Sequence, residues 1–203
     1  MYDTGLTELR ATFRRLFIGV LPACAVISTV AAVVTGRHLL ATAVIGISFA
    51  VIGSGALVIW GERTLALQIA SGALMGMVGL LVLATAGTAW QIDMHMAFFA
   101  ALAVVAGWVC WESILVAAGV VAVHHLALNF IYPAAVFPDG ADFSRVVLHA
   151  VILVAQAVTL IWLTLRLGSS FATAAEATRA AVAAHAEAEA AAEKERRLFS
   201  GQN

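Results

Sequence analysis

Residues 39–60 read LLATAVIGISFAVIGSGALVIW, a run without a charge or a proline. A helix rises ~1.5 Å per residue, so ~20 apolar residues cross a bilayer core ~30 Å thick. Five further stretches have the same character: 16–35, 65–86, 92–109, 114–132 and 146–167. Gly36-Arg37-His38, Gly61-Glu62-Arg63, Gly87-Thr88-Ala89 and Trp111-Glu112 read as turns between them. The one long connection, 133–144, carries the turn signal Pro138-Asp139-Gly140.

The composition agrees. Of 203 residues, 63% are hydrophobic and 11% charged, against ~25% charged in an ordinary soluble domain. Mean hydropathy is +0.99. With a net charge of -1 there is no basic surplus to meet phosphates, so no nucleic-acid partner is expected. The alternating pattern of an outer-membrane barrel is absent. The expected fold is an all-α integral membrane protein in contact with lipid. Residues 1–15 form a cytoplasmic N-terminus, 16–167 six transmembrane helices, and 168–203 a long cytoplasmic alanine-rich helix.

Loop arginines give the orientation. Arg10, Arg14, Arg15, Arg63 and Arg166 fall on one side, and Arg37 and Arg145 on the other. Both termini are therefore expected inside and the 133–144 loop outside. Trp60, Trp90, Trp108, Trp111 and Tyr132 stand near span ends, where aromatic belts form. The first span is too long for the core of a signal peptide and reads as retained. Cys24 and Cys110 form no C-x-x-C motif and read as small hydrophobes. Gly72 and Gly76 form a GxxxG that reads as close packing.

Residues 171–198 contain no Gly or Pro and are rich in Ala, Glu, Arg and Lys. Small apolar residues recur at three- and four-residue spacing, a weak coiled-coil stripe. A homodimer through this helix is expected, with Arg166-Leu167-Gly168 allowing a short break before it.

Ionisable groups inside a bilayer are costly and mark function. Here they concentrate in the last three spans. Gln91, Asp93, His95 and Met96 open the fourth. His124, His125, Asn129 and Tyr132 close the fifth, and Arg145 and His149 open the sixth, with Gln156 deeper. His95 and His149 each lie four residues into their span, ~6 Å deep; His124 and His125 lie ~11 Å deep from the same face. Gln91 with His95, His125 with Asn129, and Arg145 with His149 are i,i+4 pairs on one helix face.

His95, His124, His125 and His149 are therefore candidate metal ligands. Imidazole suits zinc, copper and iron, and two histidines can also hold a haem iron. Copper, zinc and haem b are the cofactors considered, and Met96 supplies a soft thioether favouring copper. Gln91, Asp93, Asn129, Tyr132, Arg145 and Gln156 are candidate supporting or ligand-binding groups. The alternatives are a proton-responsive histidine cluster without metal, and histidines that are satisfied packing residues. His38 and His185 read as interfacial and solvated.

Four runs taken together resemble a known family. They are Asp93-Met94-His95-Met96-Ala97-Phe98-Phe99, Ala122 through Phe130, and Pro133 through Pro138 followed by Arg145-Val146-Val147-Leu148-His149-Ala150. The resemblance is to the N-terminal six-helix membrane region of bacterial methyl-accepting chemotaxis proteins, and to related regions preceding diguanylate cyclases and histidine kinases. It spans 91–167, and the first three spans match only in hydrophobicity. It implies a sensory input region in the bacterial inner membrane, with a downstream signalling module or kinase complex as partner. The sequence departs from that pattern by stopping before any methylation helices. Either it is a fragment, or a partner supplies the output.

The expected function is a transmembrane sensor of a ligand, metal or redox state rather than an enzyme. A zinc-dependent membrane hydrolase, with Asp93 as its acid-base group, is the first rival. A metal or proton transporter is the second.

Overall fold

Every apolar run becomes a helix in the computed structural model, which describes residues 4–200. The helices are α1 (Thr4–Thr35), α2 (Leu39–Trp60), α3 (Thr64–Ala84), α4 (Trp90–Ala106), α5 (Trp111–Ile131) and α6 (Phe143–Ser200). A single 3-10 turn, Pro133–Ala135, lies between α5 and α6. The described residues form no strand. Five of the helices are long and apolar enough to cross a membrane; α4, with 17 residues, is shorter. The chain is a helical, membrane-associated protein.

α3 is the centre of the bundle and packs against α1, α2, α4 and α5. Its glycines make this possible. A Cβ on Gly76 would meet the Phe49 ring of α2 at 2.5 Å, and Gly72 faces Val116 and Val120 of α5. Small residues thus let the backbones approach within one chain, as the GxxxG reading expected.

The two ends of the bundle are tied differently. At one end Arg10 donates to the carbonyls of Trp108 (3.0 Å) and Val109 (2.8 Å), and Arg14 pairs with Glu62 at 2.9 Å. At the other, Thr35 Oγ1 donates to Ala84 O at 2.6 Å, and the rings of His38 and Tyr132 meet at 6.2 Å. The histidines of α4, α5 and α6 lie toward this second end.

Three local expectations are corrected. The turn between the fourth and fifth helices is Gly107–Cys110, not Trp111-Glu112. Val109 there has φ 50, a region β-branched residues rarely adopt, and Arg10 holds its carbonyl. Trp108 is not a belt residue. It is fully buried, 4.6 Å from Phe17 between ring centres, whereas Trp60, Trp90, Trp111 and Tyr132 are exposed. Finally, α6 has no break at Arg166-Leu167-Gly168; it runs unbroken through Gly168. One glycine costs a helix only about 1 kcal/mol, and good helix formers flank it.

Candidate functional site: three imidazoles beneath Phe137

His95 from α4, His125 from α5 and His149 from α6 converge. Their ring centres stand 5.6 Å (His95–His125), 6.1 Å (His95–His149) and 5.2 Å (His125–His149) apart. Each ring meets the backbone carbonyl one helical turn back, and that contact sets its tautomer. His95 Nδ1 lies 2.8 Å from Gln91 O, His125 Nδ1 2.9 Å from Val121 O, and His149 Nδ1 2.7 Å from Arg145 O. A carbonyl only accepts, so each Nδ1 carries the proton and each Nε2 keeps its lone pair. His95 and His125 are more than nine-tenths buried, and their Nε2 atoms meet no hydrogen-bond partner among the described residues.

Phe137 roofs the three rings at 5.8–6.3 Å, parallel to His95. The Arg145 guanidinium lies 5.5 Å from the Phe137 ring centre, a cation–π contact. The strap carrying Phe137 is pinned twice. Gln91 Nε2 donates to Ala134 O at 2.9 Å, and Asn129 Oδ1 accepts the Asp142 N–H at 2.8 Å. Gln91, Asn129 and Arg145 therefore support the site through the strap. Gln156 lies below the rings and donates to Phe99 O at 3.1 Å, leaving its Oε1 buried and unpartnered.

Four expected members stand elsewhere. His124 differs from His125 by one residue, ~100° around the helix. Its ring packs on Phe98, against Gly79 of α3 and 5.2 Å from His125, and its buried Nε2 also lacks a partner among the described residues. Asp93 and Met96 occupy the exposed side of α4, so neither reaches the imidazoles. Tyr132 turns out to His38. The sequence reading missed Phe98 and Phe137 as site walls. Their signal was there: Phe98 is three residues past His95, on its helix face.

The donor set suits a metal. With metal–nitrogen bonds of ~2.0–2.1 Å, three imidazoles around a tetrahedral ion have centres roughly 5.2 Å apart. The observed spacings begin at that value and widen by less than 1 Å. As they stand, no three His, Cys, Asp or Glu side chains among the described residues form a group that could hold a metal ion. The orphaned Nε2 atoms are what such an ion would satisfy. No protein-family model, curated protein or solved structure matches the chain, and its function rests on the site's own geometry.

Proposed function

We propose that the chain is the input region of a bacterial inner-membrane receptor whose three-imidazole site binds one transition-metal ion, zinc or copper. All six helices cross the membrane with both termini inside, and the site lies in the outer half. The arginine distribution supports this orientation. The observation that carries the reading is the convergence of three Nδ1-protonated imidazoles, two of which, His95 and His125, have buried Nε2 atoms without partners. The third imidazole, on α6, gives the site an output. The same helix runs about 50 residues beyond His149, roughly 75 Å. An ion that draws α4, α5 and α6 together favours one packing of α6 over another, and that difference reaches the cytoplasm. A homodimer through the far part of α6, acting on a signalling module or kinase complex, would read it, as in the chemotaxis receptors this region resembles.

The crowding supports an ion over haem b. A porphyrin between any two of the rings would have to displace the third, which stands 5.2–6.1 Å from its neighbours, or Phe137. The hydrolase reading needs a carboxylate beside the metal. Asp93 is exposed, and Glu112 sits at the far end of α5 beside Cys110. The transporter reading needs a polar path, and α3 at the centre is apolar and buried.

The test is metal titration of the full chain in detergent. Zinc or copper binds at one ion per chain. His95→Ala, His125→Ala and His149→Ala each weaken binding roughly a hundredfold or more, while His38→Ala and His185→Ala do not. Absence of a stoichiometric ion, or wild-type affinity in the three variants, overturns the proposal.

A further inference from the structure

Beside the imidazoles lies a cavity of about 240 Å³, bounded by α4, α5 and α6. An apolar cavity of ~150 Å³ takes benzene, so this one has room for one substituted ring. Phe98 and Phe99 of α4, Val121 of α5 and Leu153 of α6 wall it. Among the described residues that line it there is no carboxylate, ammonium or guanidinium group. A charged ligand would give up its hydration there without gaining a partner, so the site selects an uncharged one.

The cavity has a closed side and an open one. Phe98, Val121 and Leu153 are buried, whereas Leu126 of α5 and Phe143 and Val147 of α6 are about half exposed. The mouth therefore lies where α5 meets α6, toward lipid in a spanning bundle. A ligand dissolved in the bilayer enters by this gap.

The lining selects a shape as well. Between ring centres Phe98 stands 5.5 Å from His125 and 6.4 Å from His95, tilted by 58° and 56°. Phe99, Phe143 and His149 bring further rings to the lining. Aromatic pairs favour centres ~4.5–7 Å apart in offset or edge-on arrangements, and one more ring in the cavity continues that packing. A rigid ring also enters without the torsional freedom that an acyl chain loses on binding.

We propose that this cavity binds one uncharged aromatic ring, of the size of an alkylbenzene, taken up from the lipid phase. As the stimulus of a receptor, the ligand rests on the function proposed above. As a binding site, the cavity stands without it, because ring packing needs neither an ion nor the imidazole lone pairs.

The experiment uses the full chain in detergent, zinc-free and zinc-loaded, with 4-fluorotoluene followed by fluorine NMR. Affinities are referred to the probe's mole fraction in the micelle. The probe saturates at one per chain with and without zinc, and toluene displaces it. Methylcyclohexane competes about twofold to tenfold more weakly. Decane and benzoate compete more weakly by roughly tenfold or more. Ala122 and Ala150 are exposed lining residues on α5 and α6. Ala122→Trp and Ala150→Trp fill the mouth and weaken the probe about tenfold or more. Val151→Trp, at an exposed position outside the lining, leaves it bound. The unfolding midpoint of each variant checks its fold. No saturable binding, full binding in both lining variants, or benzoate equal to toluene overturns the inference. So does decane or methylcyclohexane equal to toluene, which would make the cavity a slot for lipid tails. Zinc binding without probe binding sinks this inference alone. Probe binding without zinc binding sinks the metal reading and leaves this one standing.

Discussion

Gln91 on α4 reaches Ala134, forty-three residues later, with its Nε2 2.9 Å from the Ala134 carbonyl. Its Oε1 accepts the Gly87 N–H at 2.8 Å, and its own carbonyl takes the Nδ1 proton of His95. One fully buried residue thus fixes the turn before α4 and the strap over the site through its side-chain amide, and the tautomer of a site imidazole through its backbone carbonyl.

Gln91→Leu keeps the volume and leaves the Gly87 N–H and Ala134 carbonyl unpaired. Stability falls by about 1–3 kcal/mol. Unfolding of the purified chain by denaturing detergent measures it, and an unchanged midpoint would contradict the role assigned to Gln91. Under the proposed metal reading, affinity for the ion falls with it, because the Phe137 strap loosens.

Asp142 caps α6. Its Oδ1 accepts the Ser144 hydroxyl at 2.6 Å and the Arg145 N–H at 3.0 Å. The Ser144 hydroxyl first, and then the Arg145 N–H, hold this carboxyl below its ordinary value. A depressed folded-state pKa stabilises the fold above the unfolded pKa, and that stability is lost as pH falls through the depressed value. At neutral pH, Asp142→Ala speeds amide hydrogen exchange at residues 143–146. The difference from wild type closes in acid; a gap that persists there would show the cap does not depend on the charge.

Trp108 and Trp111 separate core from surface. Trp108→Ala empties a fully buried site beside Phe13 and Phe17 and costs about 3–5 kcal/mol. Trp111→Ala, at a 41% exposed position, costs about 1 kcal/mol or less. Equal losses in the same unfolding assay would return Trp108 to the belt.

Spin labels at Leu163 and Ala183, both exposed, test the continuity of α6. An unbroken helix puts the two backbone positions ~30 Å apart with a narrow distance distribution. Gly168→Pro broadens and shifts it. A broad distribution in the unsubstituted chain would mean that the site and the far part of α6 are uncoupled.

Much of the site was legible because an i,i+4 pair needs only one helix. Gln91–His95 and Arg145–His149 share a helix face as that spacing implies, although the contacts that set the two tautomers are to the backbone carbonyls of Gln91 and Arg145 and not to their side chains. The estimate that put the histidines of the last three apolar helices near one level needed only helix rise. Asp93 and Met96 misled because proximity in sequence to His95 says nothing of azimuth. One or two residues away on a helix is a different face.

Hydropathy and length determined by themselves that the chain is a set of apolar helices with an alanine-rich extension, and roughly where each begins. Only the packed bundle decided that His125 rather than His124 joins His95 and His149, that Trp108 is core, and that Phe137 roofs the rings. A helix's own sequence fixes how its side chains are spaced around its axis. Which of them faces a neighbour depends on rotation against α3, whose Gly79 accommodates His124 and so turns His125 inward.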